Sequence, residues 1–164
     1  MPRHDDPAER DGVLRFYYRG WRPTRFGRCA TRIWAWLSGL GVLPEIFLTL
    51  LVKERHSAQL TAHVLAVVSV EGCQYLVSML GDESNWVQDV RATNGAAFVK
   101  RGITRPVSLV EVPVAQRAPL LRAWCQIATS GRKHLPVPFD APVSAFEAIA
   151  ADYPVFRIDP KPTE

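Results

Sequence analysis

The sequence predicts an α+β domain built around a small, mainly antiparallel β-sheet. Three observations lead there. β-branched apolar runs separated by tight-turn signals give two consecutive hairpins, one short helical stretch separates those hairpins, and all other helical spacing lies outside them. Consecutive hairpins favour antiparallel pairing over a doubly wound parallel sheet, whose strands would alternate with crossover helices. With 164 residues, 48% of them apolar, the chain can bury one continuous core.

Taken in order, residues 1–20 read as a flexible N-terminal tail, residues 21–158 as a single domain and residues 159–164 as a C-terminal tail. The domain opens with an amphipathic helix capped by Thr24. Phe26, Cys29, Ala30, Ile33, Leu37 and Leu40 share one face of it, with Arg25, Arg28 and Arg32 on the other. Gly39, Gly41 and Pro44 stop it. Its stripe is expected to cover the sheet. Strands follow over 46–53, 62–70 and 73–79, the last two joined by a tight turn at Glu71-Gly72. A polar turn, Gly81 to Ser84, leads into a short helix from Asn85 to about Ala92, capped by Ser84 or Asp82 and ended by Asn94-Gly95. Ala97–Arg101 and Arg105–Val112 form the second hairpin, broken at Gly102, with Pro106 expected at a sheet edge or strand end. Leu120, Leu121, Trp124, Ile127 and Ala128 have helical spacing. Asp140 is placed to cap a helix over 142–152, and residues 154–158 return as a strand.

Composition narrows the function classes. No apolar run approaches the ~20 residues of a spanning helix, and the charged start MPRHDDPAERDG lacks the apolar core of a secretory signal. The expectation is a cytoplasmic protein whose three cysteines, Cys29, Cys73 and Cys125, are reduced and mainly buried. Neither cysteines nor histidines show zinc-ligand spacing, so no metal is expected. The net charge is only +4, yet Arg15, Arg19, Arg22, Arg25, Arg28 and Arg32 fall in one stretch without an acid, interleaved with aromatics. A solvated helix face accounts for them. Peripheral contact with the inner face of a membrane is the second reading, and no nucleic acid is expected as a partner.

Serine-hydrolase elbows, phosphate-binding loops, metalloprotease and dinucleotide-binding motifs are all absent. An enzyme without an acid–base dyad of its own would take its chemistry from a bound cofactor, so no catalytic side chain is assigned.

The densest information lies in Leu51–Thr61 (LVKERHSAQLT) and Tyr75–Asn94 (YLVSMLGDESNWVQDVRATN), followed by Gln116–Trp124 and the ending Tyr153–Ile158. In order and spacing these segments resemble the deazaflavin-dependent nitroreductase and quinone reductase family, from about Trp21 to Ile158. The resemblance implies a split β-barrel of about six mainly antiparallel strands with flanking helices. It also implies an oxidoreductase that passes a hydride from reduced coenzyme F-420, an 8-hydroxy-5-deazaflavin, to a quinone, nitro compound or similar small acceptor. Flavin mononucleotide is the second cofactor, and a homodimer is the assembly common among flavin-binding relatives.

By the same resemblance, Lys53, Arg55, His56 and Ser57 occupy the basic cofactor turn. Ser78 and Met79 end the third strand against the cofactor, and Trp86, Asp89 and Arg91 come from the inserted helix. Trp86 reads equally as a core plug, Arg91 as a solvated charge, and His63 as structural. Departures stand beside the matches: Glu54 and Ala58 replace glycines in the turn, Gln59-Leu60-Thr61 replaces arginine and proline, and Asp89 stands where asparagine is common. Each departure removes positive charge or backbone freedom, or adds negative charge, beside an anionic ligand. The alternative function is therefore a non-catalytic or altered-ligand descendant of the same barrel, binding a flavin-type ligand or a partner.

Overall fold

A computed structural model describes residues 46–161. The predicted N-terminal helix, its arginines and Cys29 lie outside the described residues. The chain runs β1 (Phe47–Lys53), β2 (Leu60–Val70), β3 (Cys73–Val77), α1 (Asn85–Ala92), β4 (Ala96–Arg101), β5 (Ile103–Glu111), α2 (Val114–Ile127), a 3-10 turn (Gly131–His134), α3 (Val143–Glu147) and β6 (Val155–Pro160). The six strands close into one barrel in the order β1-β2-β3-β6-β5-β4, with every pair antiparallel. The fold is thus the antiparallel α+β arrangement that the hairpins predict, closed into the barrel that the resemblance implies, with α1 inserted between the third and fourth strands.

Alternation along the strands sorts side chains into two cores. Leu48, Leu50 and Val52 of β1 point inward, where they meet Val67, Leu76, Val107, Leu109, Phe156 and Ile158. α1 plugs this interior with Trp86, Val87 and Val90. The opposite faces of β2, β3 and β6 carry Val68, Val77 and Val155, which pack against Leu121, Trp124 and Cys125 of α2 and Phe146 of α3. Burial pushes the Cys125 thiol up to about 11, so it behaves as a small apolar side chain. Among the described residues no helix is long and apolar enough to cross a membrane.

The turns follow local chemistry. Glu71 (φ 51°) and Gly72 (φ 79°) are both left-handed, the geometry of a two-residue hairpin that matches strand twist. Asn94 (φ 50°) and Gly95 (φ 81°) end α1, with the Gly95 N–H donating to the Val90 carbonyl at 2.9 Å.

Other boundaries differ from expectation for physical reasons. β5 begins at Ile103 and carries Pro106 opposite Phe98. Opposite Pro106 on the other side β6 has just ended, and only the Lys161 N–H reaches its carbonyl, at 3.2 Å, so the proline meets the frayed end of that strand. β6 itself continues through Asp159 and Pro160, which pair with Ser108 and Val107, so these two residues belong to the barrel and not to the tail expected over 159–164. Ser84 sits at the start of α1 without a side-chain cap, because its hydroxyl is spent on Ser78. α3 has no cap from Asp140 and ends at Glu147. Cys73 is exposed beside the hairpin turn, unlike the buried thiol expected of it.

A charged network ties the helices to the barrel. Arg117, 6% exposed, donates to the carbonyls of Val112 (2.8 Å) and Ala150 (3.2 Å) and to Glu111 (3.0 Å). Arg91 grips Glu111 through two bonds of 3.0 and 2.7 Å and pairs with Asp82 at 2.7 Å. The Arg91 guanidinium holds the Glu111 carboxyl below its ordinary 4.5, against an upward push from burial. A carboxyl with a depressed folded-state pKa contributes stability above its unfolded value and loses it as pH falls through the folded one. The melting temperature should therefore fall as pH drops below about 4.5, and Glu111→Gln should flatten that part of the profile. Equal slopes for both proteins would contradict this.

Candidate functional site

One end of the barrel gathers most of the residues implicated by sequence. The β1–β2 connection, residues 54–59, is closed by the Glu54 N–H on the Gln59 carbonyl at 2.9 Å. It follows Lys53 at the end of β1, carries His56 and Ser57, and brings Arg55 against α1. There the Asp89 carboxylate, 2% exposed, accepts the Arg55 backbone N–H at 3.1 Å and its Nη1 at 2.8 Å. Arg55 also reaches the Asn85 carbonyl at 3.4 Å. Two segments separated by 34 residues thus meet in one clamp.

The clamp continues to the end of β3. Ser78, 1% exposed, donates to the Gly81 carbonyl at 2.7 Å and lies 2.7 Å from Ser84 Oγ. Its single proton goes to that carbonyl, so Ser84 is the donor between the two hydroxyls. Ser84 adjoins Asn85, which joins Ser78 to the Arg55 cluster through the start of α1. His63 on β2 lies within 3.2 Å of the Thr61 hydroxyl. Burial lowers its pKa, partly offset by the Asp89 charge, so it is neutral near pH 7.

Other implicated residues go elsewhere. Met79 packs in the second core, beside Trp124 and Gly131. Arg91 faces Glu111 and Asp82 and belongs to the network described above. Trp86 points into the barrel, its ring 5.4 Å from that of Phe156 at an interplanar angle of 61°, an edge-on contact within the core. Lys53 and His56 are exposed. Sequence reasoning missed Ser84 and Asn85 as parts of the site. The signal available was their position at the N-terminus of the helix that carries Trp86 and Asp89.

The departures in the turn are absorbed by local bonds. Glu54 accepts the Ser57 hydroxyl, and the Gln59 N–H in turn reaches Ser57 Oγ at 3.4 Å. These bonds organise a turn that lacks the expected glycines. Arg55 is the restraint on Asp89, because removing it leaves a nearly buried carboxylate with only a backbone N–H. Arg55→Ala is expected to cost about 1–2 kcal/mol, between the values for exposed and fully buried pairs, since its side chain is 31% exposed. The double variant Arg55→Ala/Asp89→Asn should lose less than the two single variants added together, measured by denaturant unfolding. Strict additivity would show that the pair is incidental.

For an anionic flavin-type cofactor, the residues at this end of the barrel that would meet a phosphate are exposed Lys53, His56 and Arg55, the last already paired with Asp89. Ser78 and Ser84 brace the backbone between the end of β3 and α1. The donor types of Lys53, His56 and Arg55 would suit one phosphate of a flavin-type headgroup.

Neither a family model nor a curated protein matches the chain. Solved structures do resemble it in fold. A protein of unknown function from Agrobacterium tumefaciens aligns at a TM-score of 0.50 and 9% identity, over 71% of this chain and 49% of that one. A NimC/NimA family protein from Clostridium acetobutylicum aligns at 0.48 and 16%, over 74% and 79%. A reductase dependent on reduced F-420 aligns at 0.45 and 20%, over 72% and 97%. Similarity at such identities concerns architecture alone, and the architecture is a six-stranded antiparallel split β-barrel with flanking helices.

Proposed function

We propose that this chain is a split-barrel oxidoreductase that binds a deazaflavin, with a flavin mononucleotide as second choice, and reduces a quinone, nitro compound or similar small acceptor. The observation that carries the reading is the convergence at one barrel end of the basic turn, the end of β3 and the start of α1. These are the three segments that the sequence resemblance assigns to the cofactor. Bound in reduced form, the deazaflavin supplies the hydride. Lys53 and His56 hold its anionic part, Asp89 fixes the orientation of Arg55, and Ser78 with Ser84 sets the backbone at the mouth. A filled interior keeps water from the barrel side of the site, and solvent returns the proton to the reduced acceptor.

A second reading, an altered-ligand descendant, is favoured by one observation: Asp89 cancels the charge of Arg55 at 2.8 Å. Titrating the purified protein into oxidised F-420 and following deazaflavin fluorescence separates the two. Saturable binding is expected for the reductase. No change in fluorescence or mobility of the cofactor at any protein concentration leaves the altered-ligand reading.

A further inference from the structure

The charges at this barrel end carry a consequence for the kind of ligand it accepts. Among the described residues Lys53 and Arg55 are its cations and Glu54 and Asp89 its carboxylates, so the charges of these four groups cancel. Arg55 is committed to Asp89 by a 2.8 Å ion pair whose carboxylate is 3% exposed. A buried carboxylate at that distance attenuates the field of the guanidinium for any incoming anion.

Backbone donors are committed as well. Anion cradles work by pointing several free N–H groups at one point. Here the Glu54 N–H bonds the Gln59 carbonyl at 2.9 Å, the Arg55 N–H bonds Asp89 at 3.1 Å, and the Gln59 N–H reaches Ser57 Oγ at 3.4 Å. The Ser57 hydroxyl is donated to Glu54. At the start of α1 the Val87 and Gln88 N–H groups both go to the Ser84 carbonyl, at 3.0 and 3.2 Å. Half of the turn's N–H groups and its hydroxyl are therefore turned toward the protein.

Resting on the reading of a deazaflavin or flavin site, we infer that this cradle selects its cofactor by the ring system and gains little from a polyanionic tail. The ligand class is a flavin-type ring carrying at most one phosphate, in place of a ring with an oligoglutamate extension. An electrostatically neutral cradle releases few counterions on binding, so its affinity should respond weakly to salt.

The test uses the full chain and two probes: complete F-420, and its ring-plus-ribityl fragment without phosphate or glutamates. Binding of each is measured by fluorescence at low and high salt. The expected result is affinities within about threefold of one another, with the F-420 value changing less than about twofold between the salts. Asp89→Asn removes one negative charge, and should tighten F-420 about tenfold while shifting the uncharged fragment far less. Circular dichroism melting checks that this variant is folded. F-420 binding tenfold or more tighter than the fragment, with steep loss in salt, would overturn the inference and place the tail on cations elsewhere in the chain. Failure of both probes to bind the wild-type protein would instead overturn the functional reading on which the inference rests.

Discussion

Gly95→Ala is expected to destabilise the barrel by about 4 kcal/mol or more, the largest single effect in the described residues. Two independent costs coincide at this position. Its φ of +81° lies where an L side chain is strained. A Cβ there would also stand 2.2 Å from the Leu109 carbonyl oxygen, which is backbone within β5 and has no rotamer to give. The contact is a consequence of topology: the Leu109 N–H donates to the Gly95 carbonyl at 2.8 Å, drawing the end of α1 tightly against the strand. Gly72→Ala is the control. It has nearly the same φ, +79°, but nothing within 4 Å of the added methyl. It should cost only the ~1–2 kcal/mol of the left-handed conformation. Denaturant midpoints at unchanged m-value would measure both, and equal losses would contradict the steric part of the account.

Trp86→Ala is expected to cost about 3–5 kcal/mol, the usual range for removing a large aromatic from a packed interior. Trp86 is 6% exposed and lies edge-on to Phe156, itself 2% exposed, so the deletion leaves a cavity in the centre of the barrel. Trp86→Phe retains an apolar ring and should lose only ~1–2 kcal/mol. This pair of variants also decides the residue's role. A core plug stabilises the protein whether or not cofactor is bound, whereas a cofactor wall would leave the cofactor-free melting temperature nearly unchanged on truncation. The geometry predicts the first outcome.

Most of the barrel was legible because its signals are local. Strand alternation, the Glu71-Gly72 turn and the Asn94-Gly95 stop each act within a few residues, and each appears where the pattern places it. What could not be read depends on distant partners. No spacing rule links Arg55 to Asp89, 34 residues away, although that pair determines the charge of the site. Arg117 looks like any surface arginine in a helix, yet the carbonyl of Ala150, 33 residues on, satisfies it in a buried position. Ser84 has the sequence of a cap, but Ser78 offered its hydroxyl a partner six residues back. Arg91 could be placed on α1 by periodicity, whereas its engagement with Glu111 required knowing that β5 passes beside that helix. Local chemistry therefore identified the strands and turns, the family resemblance marked the segments of the candidate site, and long-range pairing set its electrostatics.

The proposal of a deazaflavin-dependent reductase is tested most directly by mixing the protein anaerobically with reduced F-420 and menadione. Reappearance of the oxidised deazaflavin absorbance is then followed against a protein-free control. The account predicts oxidation that is proportional to protein concentration and requires the quinone. Oxidation no faster than the control, with saturating quinone and a folded protein, would contradict it.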